Sequence, residues 1–494
     1  MLKSSPMAVL IGALFALMPC GAATPVLTTL YSFPAGTEGA FPEAGLVANS
    51  SGQLFGTTYS GGTGWGTVFQ LIPPATQGNP WTIHQLYSFT GLADGANPRG
   101  ALVFSSHGVI YGTTEQGGAS GYGTVFSLTP AGGGKWTEAT VYSFKGAPSG
   151  CVPGGSPACD GANPEAGLIF SPKGVIYGTT ESGGTTSNGT VFSLTPGTGG
   201  TYTEAVLYSF AGAPSGCGTT GNPACDGANP LGSLTFSKTG TLYGTTYSGG
   251  TANWGTVFQL AQTSGVWTET VLWSFLGAPS GIGSSPPATC GTTGQPPCDG
   301  GAPAGNVVLN TTTGALFGTT TLGGRPTGCP QGGYEQGCGA VFELVPPATL
   351  GNPWTESLLY SFAGSTAACV SGGSPACDGA NPSGNLAMPS STSPIYGSAF
   401  AGGSPTDICF PASYYGCGIV FTLQPPKAPS TKWTKSSLAF FNGDGEICSN
   451  NATNIGCGGG PNGVILSTAG GILYGTTYVG GDGGGYGTVF EVTF

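Results

Sequence analysis

Charge is what this sequence has least of. Only 6% of its 494 residues are Asp, Glu, Lys or Arg, against about 25% in a typical soluble domain. Ten basic residues face 21 acidic ones, for a net charge of −11. With no basic patch the chain lacks the cationic footprint that phosphate backbones require, so no nucleic-acid partner is expected. Anionic membrane surfaces are poor partners for the same reason. Histidine is scarcer still: His84 sits in a strand-like run and His107 in a turn-like one. A zinc site needs four ligands close in space, so no metal site or cofactor is assigned. G-x-S-x-G and H-E-x-x-H motifs are missing. The many G-x-G patterns have no helix after them, so a phosphate cradle at a helix N-terminus is not available. No catalytic residue is assigned, and the chain reads as a non-enzyme.

Long apolar runs are missing too, with one exception. Met7 to Met18 (MAVLIGALFALM) is too short to span a bilayer. Lys3 precedes it and the small-residue stretch Cys20-Gly21-Ala22-Ala23 follows. This is the layout of a signal peptide over residues 1–23, cut after Ala22 or Ala23. Lipidation at Cys20 is a minor alternative, because Pro19 fits a lipobox poorly. No membrane span is expected in the mature chain, residues 24–494, which reads as a single domain. Secreted, periplasmic or cell-surface placement follows.

What the sequence does have is glycine (94), proline (40) and 11% aromatics. Disordered chains lack the apolar content to offset ordering entropy; here apolar residues recur in fixed patterns, with glycines at fixed turn places. Four segments repeat in order. The first is AGLV-like, at Ala44, Ala101 and Gly167, with later copies centred on Leu234, Val307, Leu386 and Val464. The second is LYGTT-like, starting at Leu54, Ile110, Ile176, Leu242, Leu316, Ile395 and Leu473, with a Gly-Gly pair after each. The third is GTVF-like, at Gly66, Gly123, Gly189, Gly255, Gly339, Gly418 and Gly487. The fourth is LYSF-like, at Tyr31, Tyr87, Tyr142, Tyr208, Trp273 and Tyr360, with a degenerate copy at Leu438-Ala439-Phe440. Each is short, rich in β-branched and aromatic residues and bounded by turn residues, which are strand signals.

Four strands repeated seven times predict an all-β, seven-bladed β-propeller with four-stranded blades. The order at the ends supports a propeller over a β-solenoid. The mature chain begins with a fourth segment (Val26 to Phe33) and ends with a third (Gly487 to Phe494). The N-terminal strand is therefore expected to pair with the C-terminal one and close the ring, removing exposed edges. The pattern LYSF…DGANP-x-AGL…LYGTT-x-x-GG…GTVF-x-L resembles the GloVer tandem-repeat, or choice-of-anchor, proteins, over about residues 26–494. The resemblance implies export and surface or extracellular placement, and it brings no enzymatic motif. The chain departs from that pattern in having no recognisable C-terminal anchor, which favours release or the periplasm.

Apart from Cys20, the cysteines form seven close pairs. Five precede an AGLV strand: Cys151 with Cys159, Cys217 with Cys225, Cys290 with Cys298, Cys369 with Cys377, and Cys448 with Cys457. Two lie between LYGTT and GTVF strands: Cys329 with Cys338, and Cys409 with Cys417. In an exported chain, even and local pairing reads as disulfides, each contributing roughly 2–3 kcal/mol. In a propeller these two kinds of connection open on the same face, so one face carries every long stapled loop. Such a face is where binding usually sits, although the staples also serve protease resistance.

Two recurring sets are candidate ligand contacts on that face. The aromatics Tyr59, Tyr247 and Tyr478 follow the GTT triplet, and Trp65, Tyr122, Trp254 and Tyr486 precede the GTVF glycine. Exposed rings on a rigid rim stack on sugars or anchor a protein; the alternative is packing between blades. The acids Asp94, Asp160, Asp226, Asp299 and Asp378 recur at an Asp-Gly turn, with Glu38 nearby in the first copy. They are weak candidates for a cation such as calcium, against a plain turn role in which Asp bonds its own backbone. Trp81, Trp136, Trp267, Trp354 and Trp433 open the outer strand and read as packing. The expected function is binding of an extracellular polysaccharide or protein through the stapled face. The alternatives are a purely structural or adhesive surface protein and, less favoured, a hydrolase or lyase using paired carboxylates.

Overall fold

Each motif copy becomes one strand of a blade. The computed structural model describes residues 24–494 apart from 35, 77, 148–158, 214–224, 278–298, 325–336, 350, 365–377, 404–407, 410–413, 416, 442–454, 457–458, 468–469 and 482–484. The signal-peptide reading of residues 1–23 lies outside that range. Blade 1 is built from Val47–Ala48, Leu54–Thr58, Thr67–Ile72 and Thr82–Ser88, hydrogen-bonded in that order as an antiparallel meander. Blades 2 to 5 repeat it, with second strands Ile110–Thr114, Ile176–Thr180, Leu242–Thr246 and Leu316–Thr320. In blade 6 the inner strand shrinks to one bridge, Ala387–Tyr396, and a short parallel strand, Ile455–Gly456, is added outside Thr434–Phe441. Blade 7 joins Gly459–Leu466, Ile472–Val479 and Thr488–Thr493 to the N-terminal strand Val26–Ser32, which pairs Val26 with Thr493 and Ser32 with Thr488. The seven sheets stand in a ring. Two short 3₁₀ turns are the only helical elements among the described residues, and no helix there is long and apolar enough to cross a membrane.

The repeated letters are explained by contacts between strands. The glycine of LYGTT lies in extended backbone under the GTVF phenylalanine of the next strand. A Cβ on Gly112 would stand 2.6 Å from Phe126 Cζ, so any side chain there displaces the ring. The last threonine of the triplet pairs with the threonine of GTVF in five blades, for example Thr114 Oγ1 with Thr124 Oγ1 at 2.8 Å. The first threonine reaches the next blade instead: Thr113 Oγ1 donates to Ala166 O, and Thr476 Oγ1 to Ala44 O across the blade 7–blade 1 junction. At the GTVF glycine φ lies between +85° and +100°, a region that favours glycine; a Cβ at Gly66 would also stand 2.6 Å from Pro98 of blade 2.

Between blades, the phenylalanine ending each outer strand meets the GTVF phenylalanine of the next blade edge-to-face. All seven junctions have this pair, from Phe33–Phe69 to Phe441–Phe490, with centroids 4.9–5.2 Å apart. Such pairs add about 0.5–1.5 kcal/mol beyond area burial. The tryptophans that open the outer strands pack on an aromatic of the preceding blade: Trp81 on Tyr474, Trp136 on Phe55, Trp267 on Tyr177, Trp354 on Tyr243 and Trp433 on Phe317, at 6.1–6.4 Å.

Candidate functional site

The face that carries the second-to-third and outer-to-inner connections is held by the DGANP turn. Its asparagine occupies the left-handed region, with φ of 57° at Asn97 and Asn163 and 55° at Asn229. Asparagine tolerates this conformation better than most residues. Its amide then donates to the preceding blade: Asn97 Nδ2 to Tyr59 O at 3.0 Å, and Asn381 Nδ2 to Thr321 O at 2.9 Å. The turn thereby fixes two rings of side chains around the axis. One ring follows the turn proline; the other follows the GTT triplet.

The aspartates of this turn do not ring the channel. Each bonds the outer strand that precedes it. Asp160 accepts from Tyr142 Oη (2.9 Å) and from the backbone N–H of Lys145 and Gly161. Asp226 accepts from Tyr208 Oη (2.7 Å) and from the N–H of Ala211 and Gly212. Asp299 takes Trp273 Nε1 and the N–H of Leu276 and Gly277; Asp94 and Asp378 take Tyr87 and Tyr360. Glu38 holds Tyr31 in the same way. These carboxylates anchor their turns by accepting hydrogen bonds from their own chain. Among the described residues no group of three His, Cys, Asp or Glu is placed to share a metal ion.

The candidate aromatics divide into three. Trp254 is fully buried: its ring packs over Gly277 and Gly301 and joins the core with Leu272 and Val307. It is not available to a ligand, because Gly277 and Gly301 lie against its ring and leave it no exposed surface. Tyr59, Tyr247, Tyr478 and Tyr486 are half-buried. Tyr478 and Tyr486 stack about Phe41 at 5.2 and 5.7 Å, Tyr247 packs at the blade 4–blade 5 junction, and Tyr59 lies under the Arg99 guanidinium at 5.1 Å. Trp65 and Tyr122 are different. Each rests one face on a glycine, Gly91 and Gly146, yet each is 45% exposed. Beside Trp65, Leu92 is 71% exposed. Together with Ala93, Ala96 and the Gln116–Ala119 turn, Trp65 and Leu92 line a groove of about 530 Å³ that reaches Gly121, next to Tyr122.

A second feature, missed in the sequence, lies on the axis. Residues from all seven blades enclose a cavity of about 170 Å³. On one side of it Arg99 Nε meets Glu43 at 2.7 Å and Glu115 at 3.5 Å, while Nη1 meets Glu165 at 3.0 Å. Burial pushes Glu165 up to about 7, against the pull of Arg99 and with help from Glu181 and Glu115. Burial likewise raises Glu43. The one available signal was positional. Glu43, Arg99 and Glu165 occupy the place after the turn proline, which holds Leu231, Ala304, Ser383 and Asn462 in the other repeats. The structure shows that this variable position faces the channel.

Of the cysteines expected to form seven local disulfides, Cys159, Cys225, Cys338 and Cys417 are buried and disulfide-bonded. Their expected partners Cys151, Cys217 and Cys329, and the side chain of Cys409, lie outside the described residues. Three expected pairs lie outside them entirely: Cys290 with Cys298, Cys369 with Cys377, and Cys448 with Cys457.

Fold and site together define a seven-bladed repeat propeller with an aromatic groove on its loop-bearing rim and a charged cluster at its axial mouth. The chain belongs to the Gloeobacter/Verrucomicrobia repeat family, which matches residues 9–223 and 160–404. No curated protein matches the sequence. Among solved structures it is similar to a putative 6-phosphogluconolactonase from Bacteroides uniformis, at 12% identity and a TM-score of 0.43, covering 86% of this chain and 88% of that one. A putative glucose dehydrogenase from Thermus thermophilus is similar at 13% identity and a TM-score of 0.37, covering 95% and 99%. An ancestral GH74 enzyme is similar at 11% identity and a TM-score of 0.48, covering 93% of this chain and 48% of that one.

Proposed function

We propose that this is an exported, disulfide-stapled propeller that binds an extracellular polysaccharide in the rim groove, with Trp65 as the stacking platform. The observation that carries the reading is a pair of aromatic rings on neighbouring blades, each braced from behind by a glycine and open in front. A braced ring stacks on a sugar at little entropic cost. Size favours the groove over the axis: ligand pockets run from about 300 to 1,000 Å³, a range that includes the groove and not the axial cavity. The stapled loops, paired as Cys151–Cys159 and its counterparts, would hold this face rigid outside the cell.

A glycan array probed with the oxidised mature chain tests the reading. Binding to a neutral polysaccharide is expected, weakened by roughly tenfold or more in Trp65→Ala and less in Tyr122→Ala, with circular dichroism unchanged. Binding to no glycan, or undiminished binding by Trp65→Ala, sinks it.

A second reading is favoured by one observation. Glu43 and Glu115 share one nitrogen of Arg99, and Glu165 beside them is raised to about 7. A carboxyl poised near neutrality beside an ionised one is the arrangement a glycosidase or lyase uses. Release of reducing ends from a bound glycan, abolished by Glu165→Gln, would establish it.

A further inference from the structure

The outer strands carry a second series of acids. Opposite the leucine of GTVF-x-L, blades 2 to 5 place Glu138, Glu204, Glu269 and Glu356. Blade 6 has Lys435 at the same register position, blade 1 has Ile83 and blade 7 has Leu27. The lysine shows where this position points. Lys435 Nζ donates to Asp378 Oδ1 at 2.7 Å and lies over the Tyr360 ring. Asp378 belongs to the turn that leaves blade 5, so the contact crosses a blade junction. At the blade 1–blade 2 junction the same crossing is made by Thr140 Oγ1, which donates to Ala93 O beside Asp94.

Each glutamate therefore meets the turn aspartate of the preceding blade. Glu138 faces Asp94 and Tyr87, and also bonds Thr140. Glu204 faces Asp160 and Tyr142, with the Lys145 charge acting against the shift. Glu269 faces Asp226 and Tyr208, and Glu356 faces Asp299, whose other partner is Trp273. Two carboxyl groups share each of these half-buried junctions with no ion-paired cation among the described residues. Three of the glutamates, Glu204, Glu269 and Glu356, each have one buried oxygen with no partner there.

Tyr142 Oη donates its one proton to Asp160 at 2.9 Å, which leaves none for Glu204 beside it. Two like charges in one desolvated site repel, and the pair relieves this by holding a proton.

We propose that four successive blade junctions are proton locks: each outer-strand glutamate is held as the neutral acid against the preceding blade's aspartate, and losing the proton drives the blades apart electrostatically. Burial, reinforced by the neighbouring aspartate, pushes Glu138 and Glu204 up to about 7 and Glu269 and Glu356 up to about 8, from an ordinary 4.5. The sign follows. Groups raised in the folded state stabilise it fully below the unfolded value and lose that contribution as pH rises through the folded one. The contribution is therefore full below about pH 4.5, declines as pH rises, and is gone above about pH 8. Blade 6, with its Lys435–Asp378 ion pair, is the built-in exception.

The test is thermal unfolding of the oxidised mature chain across this range. The wild type is expected to lose melting temperature from about pH 4.5 to about pH 8 and then to level off. The triple variant Glu204→Gln, Glu269→Gln, Glu356→Gln mimics the neutral acids and should retain at least half of what the wild type loses. Glu269→Lys, copying blade 6, should melt above the wild type at pH 9. Should the triple variant fail to fold, Glu269→Gln alone is read the same way, with a smaller retained fraction. Gln variants that decline in parallel with the wild type, or a Glu269→Lys chain that melts below it at pH 9, overturn the proposal.

Discussion

Tyr208 shows how a single group is used in this molecule. Its hydroxyl gives the buried Asp226 carboxylate one of its few donors. Tyr208→Phe removes the donor and keeps the ring, so it should cost about 1–3 kcal/mol in urea unfolding, the usual penalty for a buried acceptor left short. Gly112 is used in the opposite way, by having no side chain. Gly112→Ala drives a methyl into Phe126, with an expected loss of about 1–3 kcal/mol by the same measurement. At this scale the sequence was only partly legible. Position after the proline, not residue type, distinguished Glu43, Arg99 and Glu165, and a reading that looked for recurrence passed over residues that do not recur. The aspartates recur and drew notice for that reason, and in the structure each anchors its turn to the preceding outer strand. Trp65 and Trp254 occupy equivalent places in the repeat. Their opposite exposures depend on neighbouring turns, and no local pattern reports that.

At the scale of the strand, nearly everything was written in the repeat. LYGTT, GTVF and LYSF each became one strand in each blade, because each letter has a partner on the adjoining strand or blade. The exception is the weakest copy. In blade 6, Ala399 and Ile419 replace the threonine pair, the inner strand shrinks to a bridge, and an outer strand is added instead. The N-terminal strand is the element most open to test. It supplies the fourth strand of blade 7 and the Phe33 ring that meets Phe69. Deleting residues 24–33 leaves Thr488–Thr493 unpaired along one edge and empties a fully buried aromatic site. The emptied site alone is worth about 3–5 kcal/mol, and the deleted chain should show both a lower melting temperature and concentration-dependent aggregation by light scattering.

At the scale of the molecule, seven similar sheets share one axis and one loop-bearing face. Glu43, Arg99, Glu115 and Glu165 gather at the axis, the open rings sit on blades 1 and 2, and the cysteine-bearing turns begin after blade 2. The repeat thus keeps the frame constant while one sector of the ring carries the polar and aromatic variety. A ligand held at the rim groove would contact only that sector, so substitutions on the distant side, such as Trp433→Phe, should leave glycan binding unchanged in the same array while lowering the melting temperature.

The pairing of Val26–Ser32 with Thr488–Thr493 has a further consequence in time. A chain emerging from the ribosome exposes its first strand long before the last exists. Blade 7 cannot form until both have emerged, and it joins segments more than four hundred and fifty residues apart. Non-local pairing of this kind is slow, because loop entropy is lost before contacts return it. A partly made chain therefore lacks the pairing that completes blade 7 until the final strand arrives.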